Sequence, residues 1–452
     1  MEKLIYPQDC TLLPFQADCI HKMLAFLRNC GGCYNACEMG LGKSVQAIVA
    51  MNTILRYELL PKILIVCPAV MRLVWRAESQ KWLTSLHPSV QVLTSSKQLK
   101  QKPLWHAVTI ISYDLAATEE FKKWAEPSYD MLICDEAHYL KSPKAKRTKA
   151  ILKHIWPRAV FKICLSGTPF TNNVIDGYTL FNKLAPYDFP DFWSFANTYS
   201  HRKNNGFGIT WEGLKNADKL RTIINNNFFL RKTKAQVLPD LPPKVYQKIT
   251  LDKSYAHKLT KEQEAEYEKY YQDLKRLLAG KDFKRIPPPP VSIMTVRKEQ
   301  GLKKVKPIIE FVELLVGQGI PVVLFGIFRD VLTELEEAFK KYKPAVIHGD
   351  VSAKKRQEEI ERFQAGDTDL FIGQLTAAGV GITLTRASDV VLAELSYSPA
   401  EISQAVDRTH RISQKNSVTV HYFAVENSVD EKIIDIVMDK AKIFSEILKE
   451  HT

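Results

Sequence analysis

No apolar run in this sequence approaches the roughly 18 residues that a membrane-spanning helix needs. The opening residues, Met1-Glu2-Lys3-Leu4-Ile5-Tyr6, lack the shape of a secretory leader, and no amphipathic anchor or lipidation signal is visible. A soluble, intracellular chain with no membrane partner is the expectation. Cysteine is absent after residue 164, and all eight cysteines lie before residue 165. Cys30, Cys33 and Cys37 are spaced closely enough to raise a metal site, yet no fourth ligand stands near them. Cys67, Cys134 and Cys164 sit in apolar, strand-like runs, where a thiol behaves as a small hydrophobe, so reduced structural cysteines are expected. Acid is also in deficit: 63 Lys and Arg against 50 Asp and Glu leave a net charge of +13. That excess points to a polyanionic partner, nucleic acid before membrane. The 452 residues, 45% hydrophobic and 25% charged, suffice for two to four domains with sizeable cores.

One stretch organises the rest. Cys37-Glu38-Met39-Gly40-Leu41-Gly42-Lys43-Ser44 lacks the first glycine of a phosphate-binding loop but ends in its Gly-Lys-Ser. A helix-like run from Val45 to Tyr57 follows, and an apolar segment, Gly32 to Ala36, can feed it as a strand. Gly40 and Gly42 let the backbone curl so that its N–H groups face phosphate oxygens. Lys43 can supply a point charge at the terminal phosphates, and the Ser44 hydroxyl can ligate Mg²⁺. A Gly-Leu-Gly turn at a helix entrance is the plainer account of the same residues. Upstream, Leu13-Pro14-Phe15-Gln16 opens a helical pattern through Leu27, and the Gln16 amide either reads an adenine edge or is an ordinary helix-start residue.

Apolar runs of parallel-strand type then alternate with helical patterns: Ile63 to Pro68, Val108 to Tyr113, Met131 to Cys134 and Phe161 to Leu165. The third opens into Asp135-Glu136-Ala137-His138. Two carboxylates at the C-terminal end of a buried strand lie where open α/β sheets bind ligands. Asp135 is the candidate to hold Mg²⁺, and Glu136 the candidate to orient and deprotonate an attacking water. The fourth run leads into Ser166-Gly167-Thr168-Pro169. From Lys141 to Arg158 there are seven Lys and Arg and no acid, which is either a solvated helix face or a phosphate-tracking surface. Residues 171–230 are aromatic-rich and read as a mostly helical insertion with its own small core. Leu230-Arg231-Lys232 to Leu241-Pro242-Pro243-Lys244 reads as an inter-domain crossing.

A charged helical pattern, Ser254 to Leu278, precedes the stiff Pro287-Pro288-Pro289-Pro290. Residues 269–307 hold eleven Lys and Arg against three acids, a candidate DNA contact or a basic loop without fixed role. Strand–helix alternation resumes at Val322 to Phe325 and passes through Ala345 to Gly349, Leu370 to Gly373 and Val390 to Ala393, ending at Val418 to Phe423. This second parallel sheet has no Gly-Lys-Ser of its own. Between its strands lie Gly379-Val380-Gly381 and Gln404-Ala405-Val406-Asp407-Arg408-Thr409-His410-Arg411. Arg408 and Arg411, three apart, share a face if helical, and two guanidinium groups aimed together suit a triphosphate whose charge moves during transfer. Structurally paired surface arginines are the alternative.

Taken in order, Gln16, the loop Glu38 to Ser44, Asp135-Glu136-Ala137-His138, Ser166 to Pro169, Gly379-Val380-Gly381 and Gln404 to Arg411 resemble the superfamily-two helicases, and among them the Swi/Snf-type DNA translocases. The match runs from Leu13 to about Lys432. It implies an α/β fold of two RecA-like parallel-sheet lobes: residues 1–240, with a helical insertion at about 171–230, and residues 241–452, with a basic helical insertion or linker at about 251–306. It implies ATP and Mg²⁺ as cofactors. Gln16, Gly40, Gly42, Lys43, Ser44, Gly379, Gly381 and Gln404 would handle nucleotide, and Ser44 and Asp135 the metal. Lys43, Asp135, Glu136, Arg408 and Arg411 would carry catalysis, the arginines reaching from lobe two. Thr168 and the Gly379 turn would couple nucleotide state to DNA grip.

Ala393-Glu394-Leu395 followed by Pro399, together with His410-Arg411-Ile412-Ser413-Gln414, is most similar to the annealing-helicase, fork-remodelling subgroup. Chromatin remodellers usually carry Trp-Asn where Tyr397-Ser398 stand. So short a chain also resembles phage-encoded branch-migration helicases, which implies a bacterial host cytoplasm, or the nucleus otherwise. The expected partner is branched or forked duplex DNA bound through phosphates, and the expected state is a monomer. Three departures stand out: Cys37 for an acidic residue, Ser44 for threonine and Ser413 for glycine. The competing readings are an RNA helicase, a motor acting on protein-bound DNA, and a non-enzymatic DNA-binding module with a decayed nucleotide site.

Overall fold

The computed structural model describes residues 2–58, 60–84, 89–100, 108–167, 174–204, 209–212, 214–279, 289–378 and 382–448. Thr168, Gly379 and Gly381 lie outside the described residues. The chain divides into two compact units, Met1–Pro239 and Asp240–Thr452.

In the first unit the strands are β1 (Gly32–Asn35), β2 (Ile63–Cys67), β3 (Val90–Val92), β4 (Val108–Ser112), β5 (Tyr129–Asp135), β6 (Ala159–Leu165), the hairpin β7 (His201–Asn204) and β8 (Ile209–Glu212), and β9 (Phe229–Leu230). Seven of them form one parallel sheet in the order β3-β4-β2-β5-β6-β1-β9. The apolar runs sort their side chains alternately to two faces, as the period of two in a strand requires. Leu64, Val66, Leu132 and Cys134 enter one core, while Ile63, Ile65, Met131 and Ile133 enter the other. Both faces are covered, which is why these strands read as continuous rather than alternating apolar runs.

The aromatic stretch 171–230 does not build a core of its own. Phe181, Phe189, Phe195, Phe228 and Trp211 join the cluster on one face of the main sheet. Tyr34 of β1 is the junction, with Phe229 at 5.5 Å and Phe181 at 6.4 Å. A strand residue that offers a whole ring to the insertion fuses the two hydrophobic sets. The stretch also carries β7, β8 and β9 beside its helices Tyr178–Leu184, Phe192–Tyr199 and Ala217–Asn227.

The second unit holds β10 (Lys244–Leu251), β11 (Val322–Gly326), β12 (Ala345–Ile347), β13 (Leu370–Gln374), β14 (Asp389–Leu392) and β15 (Val418–Val425). They form a parallel sheet in the order β10-β15-β14-β11-β13-β12. Val323, Phe325, Val390 and Val420 face one core, and Val322, Leu324, Val391 and Phe423 face the other. The fold is therefore α/β with two parallel sheets. The helix of the 254–278 pattern runs Lys261–Ala279, and a 27-residue helix, Val291–Gly317, packs Val305, Ile308, Val312 and Val316 into the sheet's core. Among the described residues, no helix is long and apolar enough to cross a membrane.

Candidate functional site

Strands β5, β6, β1 and β9 are neighbours, so their C-terminal ends place four segments side by side in the first unit. These are Asp135-Glu136, Ser166-Gly167, the loop from Cys37, and Arg231-Lys232.

The loop curls through Gly40 (φ 85°) and Gly42 (φ 77°), left-handed conformations that favour glycine, before the helix Lys43–Ile54 begins. A Cβ on Gly42 would stand 2.5 Å from the Gln16 amide nitrogen, so that position also needs glycine for space. Lys43 donates from Nζ to the carbonyl oxygens of Cys37 (2.9 Å) and Glu38 (3.2 Å). Ser44 follows it in the first turn of the helix.

Gln16 lies in the first turn of the helix Pro14–Cys30, with Pro14 at the entrance. Its Oε1 accepts from the Leu13 amide (3.0 Å), and its Nε2 donates to the Leu41 carbonyl (3.3 Å). The amide thus touches the phosphate loop directly. Two wholly buried side chains complete this support. Gln46 donates to the same Leu41 carbonyl (2.9 Å) and accepts from Asn35 Nδ2 (2.7 Å), and Asn35 Oδ1 accepts from the Cys37 amide (3.1 Å). A satisfied buried network of this kind fixes the loop's shape. Neither Asn35 nor Gln46 was picked out by the motif. The only sequence signal is a polar residue closing an apolar strand and another inside an apolar helix.

Cys37 turns its thiol inward, 3.9 Å from the Cys19 sulfur, and both residues are buried. The hydrogen bond with the Cys19 thiol, followed by the Lys43 charge, the Lys232 backbone and the Arg231 charge, lowers its pKa against the effect of burial. Cys30 instead hydrogen-bonds the carbonyls of Phe26, Gly32 and Asn227, whereas Cys33 and Cys37 are buried in one hydrophobic cluster. Among the described residues, no group of three or more His, Cys, Asp or Glu side chains is placed to hold a metal ion.

Asp135 is 6% exposed. Its Oδ2 accepts from the Trp75 indole (2.8 Å) and its Oδ1 from the Glu136 amide (3.0 Å). Burial first, and the Glu136 charge second, push its pKa up to about 6, against the indole bond and the Lys43 charge. Each oxygen retains a lone pair for a cation. Glu136 is left-handed at φ 49°, an uncommon state for a side-chain-bearing residue. His138 Nδ1 lies 3.3 Å from a Glu136 carboxylate oxygen and 2.9 Å from Ser166 Oγ, tying the two strand-end motifs together. A Cβ on Gly167 would stand 2.9 Å from Met39 and 3.4 Å from Lys43 Nζ, so the turn after β6 packs on the phosphate loop.

Arg231, read only as part of a crossing, belongs to this edge as well. Its Nη1 donates to the carbonyls of Ala36 (2.9 Å) and Gly167 (3.4 Å). Glu38 extends the tie, its carboxylate accepting from the Lys234 amide (2.8 Å). Trp75, inside the amphipathic helix Arg72–Trp82, was likewise missed because a buried tryptophan reads as core.

In the second unit, the helix Pro399–Val406 stops before the arginines, a correction to the helical-face reading. Arg408 and Arg411 lie in the turns that follow, and tertiary contacts rather than helical spacing orient them. Arg411 donates to Thr383 Oγ1 (2.5 Å) and, from Nε, to the Asp407 carbonyl (3.4 Å). Arg408 is buried, and its carbonyl accepts from the Leu384 amide (2.8 Å). Lys244 pairs with the buried Asp407 (3.0 Å), and His410 Nε2 meets the Pro242 carbonyl (2.7 Å). The proline-rich segment is thereby fastened to the arginine turns. Gln404 is half-buried on the preceding helix. Ser398 caps that helix, accepting from the Glu401 amide (3.4 Å), and Glu394 holds the Ile327 amide (2.7 Å) while burial raises its pKa.

Residues 15–300 match the SNF2-related domain, and residues 303–413 match the helicase conserved C-terminal domain. The "DNA annealing helicase and endonuclease ZRANB3" of Mus musculus is 30% identical, over 96% of this chain and 40% of that protein. The "SWI/SNF-related matrix-associated actin-dependent regulator of chromatin subfamily A-like protein 1" of Xenopus tropicalis is 29% identical, over 96% and 45%. The chain thus spans less than half the length of these curated relatives. The solved "Sulfolobus solfataricus SWI2/SNF2 ATPase core in complex with dsDNA" is 23% identical with a TM-score of 0.48, covering 99% of this chain and 95% of that one. With both domain matches falling on the segments that carry the motifs, the chain belongs to the SNF2-related family of helicase-type ATPases.

Proposed function

We propose that this protein is an ATP-dependent DNA translocase that remodels branched or forked duplex DNA, by fork reversal, branch migration, strand annealing or unwinding. The observation that carries the reading is the contiguity of the phosphate loop, the Asp135-Glu136 pair and the Ser166-Gly167 turn at adjacent strand ends, inside a chain of the SNF2-related family.

The left-handed glycines and the helix entrance at Lys43 present N–H groups suited to phosphate oxygens, with Lys43 beside them as a cation. Gln16 and Gln404 are the nucleotide-contacting glutamines. Ser44 and Asp135 fit a divalent cation, a hydroxyl and a carboxylate with lone pairs to spare. When bound, Mg²⁺ supplies charge neutralisation on the phosphate oxygens. Trp75 holds Asp135 by one oxygen, and Glu136 takes the proton of the attacking water while His138 orients it. Arg408 and Arg411 meet the charge that develops on the transferred group. The basic excess supports phosphate-backbone contact, which brings little sequence preference and strong weakening by salt. The name of the Mus musculus relative, a DNA annealing helicase, supports the branched-DNA substrate. That of the Xenopus tropicalis relative, a regulator of chromatin, favours a second reading: a motor on protein-bound DNA.

ATP hydrolysis and ATP-dependent processing of forks, four-way junctions, linear duplex and RNA, measured side by side, test the proposal. Preference for naked branched DNA supports it, and equal action on RNA overturns it. Arg408→Ala should cost roughly 10³–10⁵ in turnover. Unchanged DNA-stimulated hydrolysis in that variant removes Arg408 from the mechanism.

A further inference from the structure

In the first unit, a line of side chains joins the acid-free basic segment to the backbone of the carboxylate pair. Lys144, Lys146, Lys149 and Lys153 are exposed on that segment. Arg147 turns inward instead. Its guanidinium lies over the Tyr139 ring, 4.9 Å from the centroid, and its Nε donates to the Tyr139 carbonyl (3.1 Å). Tyr139 lies flat on Tyr113, with centroids 5.5 Å apart and planes 8° from parallel. Tyr113 is 2% exposed, and its hydroxyl donates to the Asp135 carbonyl oxygen (2.8 Å). That carbonyl belongs to the peptide joining Asp135 to Glu136. The N–H of the same peptide donates to Asp135 Oδ1.

This peptide sets where both carboxylates point, and it leads into a left-handed glutamate. A residue other than glycine stays in that conformation only where its surroundings over-determine it. The Tyr113 hydroxyl is one such constraint, and the stack above fixes the ring that carries it. Lys146 and Arg147 also line an open cavity with Asp114, Glu119 and Glu120. Lys144, Lys149 and Lys153 are exposed and do not share that cavity. The segment is anchored at its start by Thr179, whose hydroxyl donates to the Lys141 carbonyl (2.7 Å), and passes into a π-helical turn, Ala150–Ile155.

We infer that Arg147, Tyr139 and Tyr113 form a positioning relay, through which duplex phosphates seated on the basic segment hold the Asp135–Glu136 peptide in its hydrolytic orientation. The inference rests on the DNA-translocase reading. Phosphates on the lysines steady the segment that carries Arg147. A steadied Arg147 keeps Tyr139 pressed on Tyr113, and the Tyr113 hydroxyl keeps its bond to the strand-end peptide. None of the three touches the reacting atoms.

The test compares Arg147→Ala, Tyr139→Leu, Tyr139→Phe, Tyr113→Phe and Lys149→Ala in the full chain. ATP turnover is measured with saturating linear duplex, and duplex affinity by fluorescence anisotropy. Arg147→Ala, Tyr139→Leu and Tyr113→Phe should lose roughly 2- to 30-fold in DNA-stimulated turnover, with affinity changed by less than about 2-fold. Tyr139→Phe keeps ring and carbonyl and should retain full stimulation. Lys149→Ala should do the reverse, weakening affinity while keeping turnover at saturation. The Arg147→Ala/Tyr113→Phe double variant should be no worse than the poorer single one, because both break one line. Additive losses overturn the relay, and so does an Arg147→Ala variant that only binds DNA more weakly. If Tyr139→Leu fails to fold, Arg147→Ala and Tyr113→Phe decide. A parent chain that hydrolyses ATP without DNA stimulation sinks the functional reading, whereas stimulation that survives in every variant sinks the relay alone.

Discussion

The two basic stretches of this chain look alike in composition and differ in whether they bury any of their cations: among the described residues 269–307, Lys269, Arg276, Lys303 and Lys306 stay exposed but two others do not. Residues 141–158 keep Lys144, Lys146, Lys149, Lys153 and Arg158 exposed. In residues 269–307, by contrast, Lys304 and Arg297 are taken into the second unit. Lys304 is 1% exposed, and its Nζ donates to Asp430 (2.9 Å) and to the Phe423 carbonyl (3.2 Å). Arg297 donates to the Leu395 carbonyl (2.6 Å) and stacks on Tyr397 at 4.5 Å. A count of charges describes what a chain could offer a polyanion, and burial decides which of them it does offer. The reading of 269–307 as a DNA contact is therefore corrected at these two positions.

The comparison sharpens most at Lys304. Lys304→Met leaves Asp430 buried without its cation and should cost roughly 3–5 kcal/mol in denaturant unfolding. Lys304→Met/Asp430→Leu should recover most of that loss, since removing both charges abolishes the penalty. A single variant as stable as the parent would break the contrast. Arg297→Ala comes next, at roughly 1–3 kcal/mol, from the lost carbonyl bond and the lost stacking on Tyr397, by the same measurement. The smallest stability effect belongs to Lys149→Ala, within roughly 0.5 kcal/mol of the parent. That variant should instead lower the slope of log affinity against log salt by about 1, read by anisotropy across a salt series. If Lys304→Met changed the salt slope and Lys149→Ala did not, the two lysines would have been assigned the wrong way round.

The strands that carry chemistry were legible because both faces of each sheet are covered. Continuous runs such as Ile63–Cys67 and Val322–Gly326 then announce themselves. Strand β10 was not legible. Most of its eight residues are exposed or half-buried, and its partner β15 defines it more than its own pattern does. The phosphate loop and the Asp135-Glu136 pair were read from residue types alone. Of their supports, Trp75 and Arg231 reach their partners across 60 and 195 positions, while Asn35 and Gln46 stand only 2 and 5 positions from theirs but read as ordinary polar residues in apolar elements. The arginine turns were mis-shaped on paper because a spacing of three suggests a helix, whereas Lys244 and Pro242 fasten that stretch after the helix has ended.

By itself the sequence determined the α/β alternation, the two parallel sheets and the residue types at the strand ends, because periodicity and motif chemistry are local. Which cations reach solvent, which tyrosine holds the Asp135 carbonyl and which glutamine steadies the phosphate loop were decided only by tertiary structure. Those facts depend on pairs of residues distant in sequence sharing one low-dielectric space, where an unpaired charge or amide is too costly to persist.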